Sequence, residues 1–231
     1  MYARIVGERL PRVQERLILA AERAGRSPES VRLVAVTKGH PPDAIDAVLA
    51  AGLCDVGENR VEELEQKFPI FQGRGVIWHM IGHLQRRKAA KAAELADLIH
   101  SVDSVRLAER LDRLAESGQT AQDVLIQINT SGEATKGGLP ADGALDGIAR
   151  IAELRGLNPI GLMTMAPFTE DEHTIRSAFR SLRRLRDEAD SISGFTGREL
   201  SMGMSNDFEI AVEEGSTLVR LGTALLGERQ A

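Results

Sequence analysis

Eight times along this chain, a short apolar run rich in β-branched residues gives way to a stretch of helical period. The candidate strands fall at 33–37, 53–57, 76–81, 97–102, 123–129, 158–164, 198–202 and 217–221. Near-continuous apolar strands suit a parallel sheet covered on both faces, and parallel neighbours need a crossover, which the helical stretches supply. The clearest of these covers 170–190 and sets Ile175, Ala178, Phe179, Leu182, Leu185 and Ala189 on one face. Its other face carries Arg183, Arg184 and Arg186, expected as solvated surface. A further helix precedes the first strand, because Val6, Leu10, Val13, Leu17, Ala20 and Ala24 recur at helical spacing and Gly25 is placed to end it. An open sheet of eight strands leaves two edges to protect, and closure removes both. The expected fold is α/β: a single (β/α)8 TIM-type barrel domain over 1–231, with an extra N-terminal helix.

Charge and composition narrow the function classes. A formal charge of −5, from 34 acidic and 29 basic residues, offers no basic excess to draw nucleic acid or an anionic membrane. No apolar run approaches the roughly 18 to 20 residues of a membrane span, and the first residues lack an apolar signal region, so a cytoplasmic protein is expected. The single cysteine, Cys54, cannot form an intramolecular disulfide or a multi-thiolate metal site, and its expected role is burial as a small hydrophobe. His79 and His83 are four apart on a strand and its exit, a spacing that does not converge them on a metal. His79 reads as a packed core histidine or as one lying near a ligand.

In barrels of this kind chemistry gathers at the carboxyl ends of the strands. Strand one ends at Lys38, strand two at Glu58-Asn59, strand four at Asp103, strand five at Asn129-Thr130-Ser131, and strand six at Thr164. Strand seven ends at Ser201 to Ser205, and strand eight at Arg220 with Gly222-Thr223. Lys38 follows Leu33-Val34-Ala35-Val36 and points at the barrel mouth. A lysine titrates near about 10.4 in water, and a pocket that desolvates it favours the neutral amine that attacks aldehydes. A lysine merely capping a strand in solvent is the other reading of that position. Ser205, read as lying at the start of the helix after strand seven, and Gly222-Thr223, after strand eight, are suited to an anion, and these two loops are the usual phosphate site of the fold.

Six ordered segments carry a resemblance: Val34-Ala35-Val36-Thr37-Lys38, Gly57-Glu58-Asn59-Arg60-Val61-Glu62-Glu63, Trp78-His79-Met80-Ile81-Gly82-His83-Leu84-Gln85, Gly161-Leu162-Met163-Thr164-Met165, Ser201-Met202-Gly203-Met204-Ser205 and Val219-Arg220-Leu221-Gly222-Thr223-Ala224. Over nearly its full length the chain resembles the pyridoxal phosphate homeostasis proteins of the YggS/PROSC type, which share their fold with the N-terminal barrel of alanine racemase. The resemblance implies pyridoxal 5′-phosphate as cofactor, held as an aldimine on Lys38, with Ser205, Gly222 and Thr223 on the phosphate. It implies Asn59 along the ring and Arg220 at the pyridine nitrogen. Arg87 departs from the family, which usually has asparagine before Lys88. Lys136, in the loop Asn129 to Gly138, reads as a solvated lysine or as a second amine for the aldehyde.

A guanidinium cannot accept a hydrogen bond from a pyridinium, so Arg220 leaves the ring nitrogen neutral and the ring a weaker electron sink. Alanine racemase adds a second domain with a catalytic tyrosine, whereas the only tyrosine here is Tyr2. The expectation is a non-catalytic binder that stores, buffers or delivers the cofactor, as a monomer or weak dimer, with apo-forms of pyridoxal-phosphate enzymes as partners. The competing reading is an amino-acid racemase or lyase.

Overall fold

The computed structural model describes residues 1–115, 121–133 and 136–228. In chain order the strands are β1 (Arg32–Val36), β2 (Asp55–Glu58), β3 (Ile77–Met80), β4 (Leu98–Val102), β5 (Gln122–Asn129), β6 (Leu139–Pro140), β7 (Leu157–Met163), β8 (Glu199–Ser201) and β9 (Leu218–Leu221). The helices are α1 (Tyr2–Arg23), α2 (Pro42–Ala50), α3 (Val61–Phe71), α4 (Ala89–Leu95), α5 (Val105–Ala115), α6 (Ala144–Ala152), α7 (Glu172–Ala189), α8 (Phe208–Glu213) and α9 (Thr223–Leu226). The ring runs β4-β3-β2-β1-β9-β8-β7-β5 and closes through β4 on β5, every pair parallel. The expected eight-stranded barrel is therefore the fold. β6 lies outside the ring, paired to the end of β5, and was not legible because two residues carry no periodicity.

Strand alternation divides the core in two. Val34, Leu98, Leu125, Met163 and Leu218 fill the barrel interior, and the larger cluster lies between strands and helices. Helix α7 buries the six residues expected of it against that outer layer. Helix α1 buries Val6, Leu10, Val13 and Leu17 against the barrel's outer layer, each side chain contributing roughly 1.5–3 kcal/mol. Gly25, at φ +64°, ends it: its N–H bonds Glu22 O, and the Arg26 N–H reaches back to Ala21 O.

Two expectations fail on the outer surface. Cys54 is exposed, because β2 starts at Asp55 and leaves the cysteine in the connection before it. The basic face of α7 is not simply solvated. Arg184 is exposed, but Arg183 donates to Glu214 O at 3.2 Å, while Arg176 and Arg180 bind the Glu214 carboxylate at 3.0 and 2.9 Å. Among the described residues no helix is long and apolar enough to cross a membrane.

Gly161 on β7 allows the closest approach in the ring, since a Cβ there would lie 1.9 Å from Glu199 O on β8. Gly161→Ala is expected to cost at least about 1–3 kcal/mol through overpacking. The urea-unfolding midpoint measures it, and an unchanged midpoint contradicts the packing described.

Candidate functional site

The register of β1 against β9 pairs Val34 with Arg220 and Ala35 with Leu221. Extending both strands past their ends brings Lys38 beside Gly222 and Thr223, and these residues line one cavity of about 260 Å³ together with Val36, His40, Gly227 and Glu228. Lys38 is half-buried, as an amine between solvent and barrel should be. Asn59, Ser205 and Arg220 belong to the same end of the barrel, after β2, after β8 and on β9, but do not line that cavity.

A buried clamp sets the direction in which Lys38 leaves its strand. Lys67 of α3 donates to Thr37 O at 2.9 Å and to Glu58 Oε1 at 2.7 Å, and the Thr37 hydroxyl donates to the same oxygen at 2.5 Å. The next peptide is fixed as well, since the Gly39 N–H donates to Glu63 Oε2 at 2.6 Å. Burial pushes the Glu58 carboxyl above its ordinary value, against the pull of Lys67, and Glu58 Oε2 is the one buried side-chain oxygen without a partner among the described residues. Glu63 stays below the carboxylate range: burial opposes this, and the Gly39 N–H and Lys67 outweigh it.

Arg220 is buried, and its guanidinium plane is fixed by donation from Nη1 to Ser201 Oγ at 2.5 Å and from Nη2 to Thr164 O at 2.9 Å. Burial lowers its pKa to about 10, with Asp207 acting in the opposite sense, so it remains a cation at neutral pH. Asp207 is itself raised by burial, against a 2.6 Å hydrogen bond from the Met204 N–H and the charge of Arg220. Ser205 lies in a turn, not on the first turn of α8, which starts at Phe208. Its hydroxyl oxygen instead accepts from Ala224 N at 3.1 Å, tying the loop after β8 to the start of α9. Asn59 is placed by Gly82, where any Cβ would lie 2.2 Å from Asn59 O.

Sequence reading missed His40 beside Lys38, and Tyr2 and Arg9 behind the cavity wall. His40 lines the cavity, and its Nδ1 lies 3.0 Å from the hydroxyl of Tyr2 on α1. Extending the apolar stripe of α1 backward from Val6 by one turn would have found Tyr2. Arg9, also on α1, donates to Thr223 O at 2.7 Å. Lys136 is not the solvated loop lysine expected: it folds back to donate to Ala166 O at 2.7 Å, beyond β7. Its loop neighbours Ala134 and Thr135 lie outside the described residues. Arg87 is exposed and bonds Gln85 at 2.9 Å. His83 is also exposed, 3.0 Å from Asp103, while His79 is buried inside the barrel.

The sequence pattern of the alanine racemase N-terminal domain matches residues 10–230. A pyridoxal phosphate homeostasis protein of Aquifex aeolicus is 42% identical over 96% of this chain and 98% of its own length. The chain belongs to the pyridoxal phosphate homeostasis protein family. The family's Escherichia coli K12 member is 38% identical, over 97% of both chains. Among solved structures, PipY of Synechococcus elongatus PCC7942 with PLP bound superposes with a TM-score of 0.80 at 37% identity, covering 93% of this chain and 100% of PipY. In this homeostasis-family barrel, then, the amine, the guanidinium and the glycine-threonine turn sit together at the end where the fold keeps its chemistry.

Replacing Lys67 by Met leaves Glu58 buried without its cation. The expected loss is about 3–5 kcal/mol of unfolding free energy, with the double variant Glu58→Gln, Lys67→Met recovering part of it. Chemical denaturation of the three proteins checks this, and a single variant as stable as wild type contradicts the clamp.

Proposed function

We propose that this protein binds pyridoxal 5′-phosphate covalently at the barrel mouth, as a Schiff base on Lys38, and holds it for storage and delivery without turning over a substrate. The observation that carries this reading is the cavity shared by Lys38, Gly222 and Thr223. The cavity offers an amine for an aldehyde and backbone and hydroxyl donors for a phosphate, and Arg220, at the same end of the barrel, offers a buried cation for a ring nitrogen. Support comes from the family's name and from the PLP bound to PipY.

When bound, the cofactor supplies an aldehyde and an electron-withdrawing ring. The neutral amine of Lys38 adds to the aldehyde carbon, a C=N bond forms, and both amine hydrogens leave with the carbonyl oxygen as one water. Ser205, Gly222 and Thr223 hold the phosphate, the start of α9 being tied to Ser205 by the Ala224 N–H. Asn59 lies along the ring. Arg220 presents N–H donors to the pyridine nitrogen and, being a cation, disfavours its protonation. That weak electron sink favours holding over carbanion chemistry, and it suits transfer of the intact cofactor to apo-forms of pyridoxal-phosphate enzymes.

Incubation with pyridoxal 5′-phosphate followed by borohydride is expected to leave a permanent adduct on Lys38, located by peptide mass mapping. An adduct elsewhere, or none, overturns the covalent assignment. Amino-acid turnover that disappears in Lys38→Ala would overturn the carrier reading in favour of a racemase or lyase.

The phosphate assignment has its own check. Ser205→Ala is expected to weaken cofactor binding about ten- to a hundredfold, the worth of one charge-assisted hydrogen bond at roughly 1.5–3 kcal/mol. Titration should also show pyridoxal binding far more weakly than its phosphate, and equal affinities would refute the cradle.

A further inference from the structure

Below the mouth, the barrel interior holds a continuous file of polar groups that the cofactor chemistry does not use. Ser201 Oγ, which accepts from Arg220 Nη1 at 2.5 Å, lies 2.8 Å from Nδ1 of His100. His100 Nε2 lies 2.8 Å from Nδ1 of His79, and His79 Nε2 lies 2.9 Å from Asp55 Oδ1. His79, His100 and Ser201 are buried, and the file ends where Asp55, the first residue of β2, reaches solvent beside Arg32 and Glu199.

With both imidazoles neutral, the Asp55 carboxylate, which can only accept, sets the direction of the file. Arg220 can only donate, so the Ser201 hydroxyl accepts from it, and its own hydrogen is then available to Nδ1 of a neutral His100. A neutral His100 with an accepting Nδ1 carries its proton on Nε2 and donates to Nδ1 of His79. The same logic leaves the His79 proton on Nε2, directed at the Asp55 carboxylate. This arrangement gives every proton in the file an acceptor, with both imidazoles neutral, a cation at one end and an anion at the other.

We propose that this file is a one-way relay through the barrel, in which Asp55, His79 and His100 act as positioning residues that orient the Arg220 guanidinium toward the cofactor's ring nitrogen. The proposal rests on the cofactor reading above. Its physical basis is polarisation: hydrogen bonds in series within a low-dielectric interior strengthen one another, and reversing or breaking one link frees the next. The groups facing His100 agree. Burial holds its pKa well below the ordinary value, and the positive charges of Arg220 and Arg32 act in the same direction. Arg32 is in turn shared between Asp55 at 3.5 Å and Glu199 at 3.1 Å, so the lower end of the file is itself anchored.

The test begins with the wild-type protein without added ligand. Nitrogen-15 NMR of its histidine side chains at neutral pH is expected to show the Nε2–H tautomer at both His79 and His100. An imidazolium or an Nδ1–H tautomer at either position overturns the relay. The second arm measures pyridoxal 5′-phosphate binding and the absorption band of the protein-bound cofactor in Asp55→Leu, which removes the acceptor, and in Asp55→Asn, which keeps an oxygen for His79. Asp55→Leu is expected to weaken binding about 2- to 30-fold and to shift the band, with Asp55→Asn intermediate. A folded Asp55→Leu protein with wild-type affinity and spectrum overturns the positioning role. If Asp55→Leu does not fold, Asp55→Asn carries the same comparison, and the wild-type tautomers stand as an independent check. Absence of any Lys38 adduct in wild type would overturn the cofactor reading and the positioning role with it, while leaving the tautomer result to decide the relay.

Discussion

The pairing of the first and last ring strands governs this molecule. Lys38 follows β1 and Gly222-Thr223 follow β9, so the parallel register that sets Ala35 opposite Leu221 is what makes a site of segments far apart in sequence. Shifting that register by one residue would exchange the inner and outer faces of β9. Arg220 would then leave the barrel and Leu221 would enter it. Closure enforces the correct register, because every strand must alternate inward and outward consistently with both neighbours. The site's geometry is therefore inherited from the ring as a whole.

Around this seam the structure commits buried charge in two places, for different ends. The Lys67–Glu58 pair lies outside the ring, under α3, and grips the Thr37 carbonyl one residue before Lys38. Replacing such a pair with apolar groups is often neutral for stability, so its value here lies in the direction it gives the chain. Arg220 lies inside the ring, where the Coulomb attraction of a cation is strong and its desolvation costly. It is accommodated by Ser201, Thr164 and the nearby carboxylate of Asp207.

The ring was legible in the sequence because hydrophobic period survives without knowledge of any partner, and each inner strand extends over several residues. Lys38, Gly222 and Thr223 were legible for a related reason: a residue at a strand's carboxyl end has its position set by the fold. What escaped depends on three-dimensional neighbours. His79 and His100 each interrupt an apolar run, and only strand register shows that their ring nitrogens meet 2.8 Å apart. Tyr2 and His40 meet because α1 crosses the seam, an arrangement no local pattern encodes. Cys54 was misplaced by a strand boundary drawn two residues too early, enough to turn an exposed connecting residue into a core one. Lys136 was misread because a loop lysine's company depends on which carbonyl a distant strand leaves within reach.

The helix that crosses the seam has a further consequence. Through Arg9 on Thr223 O and Tyr2 on His40, α1 fastens the two sides of the cavity from outside, so the chain's N-terminal segment is held to its last ring strand. Contacts this distant in sequence form only once the loop-closure entropy of the intervening chain has been overcome. The cavity does not exist before then, and a ligand selective for it binds the closed ring and not its precursors. With pyridoxal phosphate as that ligand, a free concentration a hundred times the dissociation constant would deepen the native well by about 2.7 kcal/mol. The persistence of the folded protein would then follow the supply of free cofactor, making the barrel's lifetime a gauge of the pool it serves.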